Sequence, residues 1–472
     1  MEFYDSYSDE NDSFDLSDSE LLEKINTSKE MISNGEIFFN IEYIEDTIHH
    51  CIDNDFIEEG FELTESVLEI TPYNSEFWQF KGVLHNNRFE FEDAYDCFEK
   101  SLTLNPCDVE TLLNKSVAED NLGYVEQAAE TLKRVLDIEP ENDEALYSMG
   151  LLFEKRDMYL QAVTYLQRAV EVDEEYSEAW YELGFCYETL DEFDKAIIAY
   201  DKFLEFEPYS STALYNKGIV LIRSGKFEKA ADIFELSLAI KEDFSSAWFN
   251  LGVAYANLGR LKDALKAVKE AAKLDPEDEA IWYTLGQTYE DLNQHNKAAI
   301  AYSKAIKIDP EYTEAYIARG ECYRKMGKLN LALIDFENAM EINPDLSELW
   351  FGKASVEFEL GNFKSAIDYY KTSLKFDPEN YETWYKLAEA FIGDGNWQEG
   401  DEAYNHCIKL QPESANAYYG KAKAKLLLSQ TNEAIENLKS AFALDPNIKN
   451  AFAKDYPEAK SSKLLNKLID EK

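Results

Sequence analysis

The sequence predicts an all-α solenoid of stacked antiparallel helix pairs, about 12 units of 34 residues flanked by caps. Three observations predict it. Pro72, Pro106, Pro140, Pro208, Pro276, Pro310, Pro344, Pro378, Pro412 and Pro446 lie on one 34-residue lattice, with Glu174 and Glu242 at the two remaining points and only Pro457 off it. Between lattice points, apolar residues fall at helical spacing twice per period. Small residues recur at two fixed places in each period. Self-similarity of this length marks a stack of like units, none of which can bury its apolar faces alone.

The elements follow in chain order. Residues 1–16 mix Asp, Glu and Ser with Phe3, Tyr4, Tyr7 and Phe14, the composition of a disordered acidic tail. Ser17 and Glu20 form a capping box that opens an N-terminal capping helix within 17–40, carrying Leu21, Leu22, Ile25 and Ile32. A degenerate unit spans 41–74, with Ile44, Thr47, Ile48 and Gly60 at the recurring places. Eleven regular units occupy 75–448, and 449–472 form a C-terminal capping helix around Leu464, Leu465, Leu468 and Ile469.

One period shows why each unit is a helix pair. Trp248, Leu251, Gly252 and Tyr255 share one face of a first helix. Gly259 ends that helix, at a place held elsewhere by Gly123, Asp157, Asp191, Asn293 and other residues tolerant of positive φ. Phe89 and Ser429 break this rule, so the turn is less well specified there. A second helix carries Ala264, Val268 and Ala271 and stops at Pro276, which cannot continue it. Gly82, Gly184, Gly252 and Gly286 mark one small-residue place and Ala94, Ala196, Ala264 and Ala298 the other, where helix axes approach closely.

Charge narrows the function classes. There are 94 acidic and 46 basic residues, a formal net charge of −48, which repels phosphate backbones and anionic lipid. No nucleic-acid partner and no membrane insertion are expected, and a chain with no basic or apolar leader at its start is read as cytoplasmic. Cys51, Cys97, Cys107, Cys186, Cys322 and Cys407 have neither CxxC nor zinc spacing and read as reduced structural thiols.

The chain resembles the tetratricopeptide-repeat (TPR) family, whose pattern stands nearly complete in Trp180, Leu183, Gly184, Tyr187, Ala196, Tyr200 and Pro208, with Phe203 where the family usually has Ala. The resemblance implies a right-handed superhelix with a concave groove that binds extended peptides.

By that resemblance a second stripe on the first helices faces the groove. It carries an aromatic ladder, Tyr147, Tyr181, Tyr215, Phe249, Tyr283, Phe351, Tyr385 and Tyr419, whose alternative role is to pack adjacent units. A neighbouring row runs Phe185, Ile219 and Val253 in its apolar half, then Gln287, Glu321, Ser355, Glu389 and Lys423 in its polar half. The apolar half favours binding between residues 144 and 260. Asn216 and Asn250 are placed to hold a peptide backbone through both donor and acceptor. Glu144, Glu178 and Glu182 are placed to meet basic side chains, and this acidic row argues against clamping a terminal carboxylate.

Catalysis finds little support. SGKFEK at 224–229 lacks the P-loop spacing, and no Ser or Cys nucleophile has a His at motif spacing. Asp46, His49 and Asp53 share a helix face but match no metal motif; His295 reads as a packing histidine; no cofactor or metal is expected. The expected function is a non-catalytic scaffold binding protein segments with apolar and basic residues. The alternatives are a regulatory or substrate-recruiting subunit of an enzyme whose catalytic domain is on another chain, and a self-assembling structural rod.

Overall fold

In the computed structural model, residues 17–456 are described. Among them the chain forms 26 α-helices and one short 3-10 segment, Ile37–Phe39, and no strand. Chain contacts divide it into two compact units, Met1–Lys226 and Phe227–Lys472. Within each unit every helix packs on its neighbours in sequence. The expected disorder of 1–16 and the expected helix around Leu464 lie outside the described residues.

The turn between paired helices is the same throughout. Helix Ser245–Asn257 is followed by Leu258, Gly259 and Arg260, then by helix Leu261–Leu274. The Gly259 N–H donates to Ala256 O at 2.9 Å and the Arg260 N–H to Tyr255 O at 2.9 Å, with φ +71° at Gly259. This bond pair closes the orphan carbonyls of the first helix and reverses the chain, so paired helices are antiparallel. Phe89 and Ser429 adopt the same left-handed conformation, φ 61° and 59°. The matching bonds form there too, Glu90 N–H to His85 O and Gln430 N–H to Lys425 O. A left-handed residue with a Cβ costs about 1–2 kcal/mol, and packing on both sides of the turn outweighs it.

The structure explains why the proline lattice tolerates Glu174 and Glu242. The indole N–H of each signature tryptophan donates to the backbone carbonyl six residues back. Trp248 bonds Glu242 O at 2.8 Å, Trp180 bonds Glu174 O at 3.0 Å, and Trp282 bonds Pro276 O at 2.9 Å. A carbonyl serves whatever side chain it belongs to. The indole therefore lies half-buried, with its edge toward the turn, rather than enclosed.

At the N-terminal end the capping box forms as expected on helix Asp18–Ser33. Leu21 and Ile25 pack with Ile44, Ile48, Val67 and Phe77, while Leu22 stays exposed. At the other end, helix Ile448–Asp455 buries Phe452 against Tyr419 and Phe442.

A stack of this kind is stabilised between neighbours, so loss of one whole period should be tolerated. Deleting residues 313–346 removes both helices of one pair, Thr313–Lys325 and Leu329–Ile342, and joins Tyr312 to Ser347, so that Tyr312 takes the place of Leu346. The shortened chain is expected to keep its helical circular-dichroism signal per residue. Collapse of that signal would refute independent stacking.

Candidate functional site

Each unit presents a face of successive first helices, and in both units neighbouring first helices also touch one another. The aromatic ladder there is engaged in packing. Tyr147 meets Tyr176 with ring centroids 4.9 Å apart, and Tyr181 meets Tyr200 at 5.8 Å and Phe203 at 5.2 Å. Asn216 donates through Nδ2 to the Tyr181 hydroxyl at 2.8 Å, a bond between successive periods. Tyr215 and Ile219 are half-buried. Phe185 is the open member, 38% exposed, its ring edge toward Tyr159 at 6.3 Å.

The acidic row is the electrostatic feature of this face. Glu178 is half-buried and Glu144 is exposed. Glu182 shares a hydrogen bond with Glu154, a residue the sequence did not single out. Burial first, and then the Glu154 charge, push the Glu182 carboxyl up to about 8. Burial raises Glu154 as well, and its Oε2 has no hydrogen-bond partner among the described residues. Two carboxyls this close titrate as a pair holding one proton. The charges acting on Glu182 and Glu144 are all carboxylates: Glu154 on the first, Asp143 and Glu110 on the second. A second acid pair lies nearer the N-terminus, where burial and Glu76 push Glu45 up to about 7. No sequence motif marks either pair, because the members lie some thirty residues apart and meet only when periods stack.

These pairs set a pH dependence. Glu45 and Glu182 keep a proton to about 7 and about 8 in the folded chain, against 4.5 as the ordinary value. Between those limits the folded state binds more protons than the unfolded state, so stability falls as pH rises. The contribution is complete below about 4.5 and lost on passing through about 8. Amides of the first unit should open more readily by hydrogen exchange at pH ~8 than at pH ~5, after correction for intrinsic rates. Glu182→Gln should flatten that slope; an unchanged slope would show that the carboxyl is hydrated.

In the second unit, Phe249 packs against the cluster containing Val268, Ala271 and Ala272. Asn250 donates to Ser246 O at 2.9 Å, and Val253 is half-buried. The polar half of the neighbouring row is paired within the chain. Glu321 binds Arg324 at 2.8 Å, Ser355 meets the Tyr370 hydroxyl at 3.1 Å, Glu389 binds Lys386 at 2.8 Å, and Lys423 binds Asp455 at 2.6 Å. These four polar members of the row thus have partners within the chain.

The Asp46, His49 and Asp53 spacing does not assemble a metal site. Asp46 bonds Lys24 at 2.7 Å and faces His50, while the His49 ring meets Phe80 edge-on at 4.6 Å.

The fold and this face define a helix-pair repeat protein. Family models described as tetratricopeptide repeat or TPR repeat match residues 109–142, 147–211, 215–279, 249–313, 313–346, 354–395, 382–414 and 415–448. The chain belongs to the tetratricopeptide-repeat family. Solved structures it resembles include MamA, at 28% identity over 36% of this chain and 94% of that one, with a TM-score of 0.34. The Cut9–Hcn1 assembly of APC/C matches at 15% identity over 90% of this chain and 95% of that one, TM-score 0.42. YrrB, described as a TPR protein with an unusual peptide-binding site, matches at 24% identity over 40% and 96%, TM-score 0.36. No curated protein sequence matches the chain. No helix among the described residues is long and apolar enough to cross a membrane.

Proposed function

We propose that this chain is a non-catalytic scaffold that binds an extended protein segment carrying basic and apolar residues along its first-helix face. The observation that carries the reading is the Glu154–Glu182 pair. The pair is desolvated, Lys155 being the base that acts on it through Glu154, and Glu182 lies on the helix that also bears the exposed Phe185. A lysine or arginine from a partner would supply a counter-charge to Glu182, and Phe185 and Ile219 an apolar contact. Glu144 and Glu178 extend the acidic row, and Tyr147, Tyr181 and Tyr215 form the wall behind it. Phe249, Asn250 and Val253 offer the second unit's own stretch of the same stripe.

The cysteines support a non-catalytic role. Burial pushes the thiols up to about 11 at Cys97 and about 12 at Cys51, Cys186, Cys322 and Cys407, so little thiolate nucleophile forms at neutral pH.

The test is titration calorimetry of the full chain with synthetic peptides alternating Leu with Lys, or Leu with Glu. The Lys series should bind and the Glu series should not. Glu154→Gln with Glu182→Gln, which removes the charge of the pair, should weaken the Lys series by about 1.5–3 kcal/mol, the range for a hydrogen bond to a charged group. Added salt should weaken it further. Equal binding of both series would overturn the reading. Asn216→Ala is expected to cost stability as well as binding, about 0.5–1.5 kcal/mol, because its amide also holds Tyr181.

A further inference from the structure

We propose that Glu290, His295 and Cys322 form a three-ligand site for a divalent cation of the zinc class. One ligand atom from each residue lies within 4.8 Å of the other two. Glu290 stands in the last turn of helix Glu279–Asp291, His295 opens helix His295–Ile308, and Cys322 belongs to helix Thr313–Lys325 of the next period. The turn of the repeat and the stacking of one period on the next bring them together.

The niche is built for a polar occupant. His295 replaces the apolar residue that packs at this place elsewhere, Phe193, Phe227, Leu261 or Phe363. Its Nδ1 is buried and has no hydrogen-bond partner among the described residues. A buried nitrogen left without a partner is destabilising, and a phenylalanine would avoid that cost. A metal ion would satisfy it. Cys322 is fully buried beside the carboxylate. Glu290 is held from behind: the Tyr302 hydroxyl donates to Oε2 at 2.9 Å and Lys325 Nζ to Oε1 at 2.7 Å. The Cys322 thiol also bonds this carboxylate; a carboxylate has about four lone-pair sites, and metal binding would replace the thiol's bond when its proton leaves. Such supporting bonds are what orient metal ligands.

The same fold place four periods earlier acts as an internal comparison. There the equivalents are Glu154, Tyr159 and Cys186. The carboxylate and thiol are kept, but tyrosine stands for histidine and turns its hydroxyl to Asp157 at 2.8 Å. Only the niche with His295 offers nitrogen, sulfur and oxygen together. That mixed set suits zinc, with bonds of about 2.0–2.3 Å and tetrahedral ligand spacing, so the three atoms would draw in by about 1 Å. A fourth position would be left for water. The thiol proton leaves on binding, so affinity should fall as pH is lowered.

The test uses the full chain carrying Cys107→Ser, which removes the exposed thiol, after treatment with a chelator. Cobalt(II) is the probe. One equivalent should produce thiolate-to-cobalt charge-transfer absorption, and zinc should displace it. His295→Phe and Cys322→Ala introduce residues that the fold already carries at equivalent places, so both variants should keep their helical signal while losing the absorption. Cys186→Ser should retain it. No charge-transfer absorption at hundredfold excess cobalt, or undiminished absorption in His295→Phe or Cys322→Ala, would overturn the proposal.

Discussion

Replacing Arg319 by leucine is expected to destabilise its repeat by about 3–5 kcal/mol, the cost of stranding a buried charge. Arg319 grips Asp335 with two bonds, Nε to Oδ2 at 2.9 Å and Nη2 to Oδ1 at 2.6 Å, and donates through Nη1 to the Ser303 hydroxyl at 2.9 Å. Asp335 is 2% exposed. Burial raises its carboxyl, and the guanidinium beside it opposes the rise. Without Arg319 the carboxylate must take up a proton or draw in water, and either distorts the pair of helices. The double variant Arg319→Leu with Asp335→Leu should recover most of the loss, because neither charge is then desolvated. Hydrogen exchange of amides in 313–342 is the proper measurement, since repeats open locally and one global unfolding energy would blur the effect. A loss under about 1 kcal/mol in the single variant would place the pair in the range of exposed ion pairs.

Phe98→Ala should cost about 3–5 kcal/mol in the first unit. The ring is fully buried on helix Phe91–Leu104, packed with Ala94, Ala118 and Val83. It lies against the bare backbone of Gly82, where a Cβ would come to 2.4 Å from it. That contact predicts a change of sign. Gly82→Ala should destabilise the unaltered chain by overpacking. In the Phe98→Ala background the clash is gone, and the same change should stabilise the helix by up to about 1 kcal/mol. Urea melts read beside exchange of the amides in 75–104 would show it. A Gly82→Ala effect of one sign in both backgrounds would mean the ring moves aside freely.

The candidate face is only partly legible in the sequence. The ladder of Tyr147, Tyr181 and Tyr283 was visible as a stripe, but its rings close against Tyr176, Tyr200 and Tyr302. Asn216 stands on the same stripe, and its amide also bonds Tyr181. The partners lie 19 to 35 residues away, and a helical stripe says which way a side chain points, not what meets it.

What the sequence determined by itself is everything written within one period. Apolar spacing, a residue tolerant of positive φ at the turn, a glycine facing a large ring and a lattice residue that ends the second helix are local requirements, and each repeats every 34 residues. They specify an all-α helix-pair repeat. Tertiary structure decided the rest. It held Phe89 and Ser429 in left-handed turns their side chains disfavour, and divided an unbroken register after Lys226. It desolvated Glu154 with Glu182, and set His295 beside Glu290 and Cys322. Desolvation and pairing depend on which side chains of different periods become neighbours, and that is settled by packing across the stack rather than by spacing along the chain.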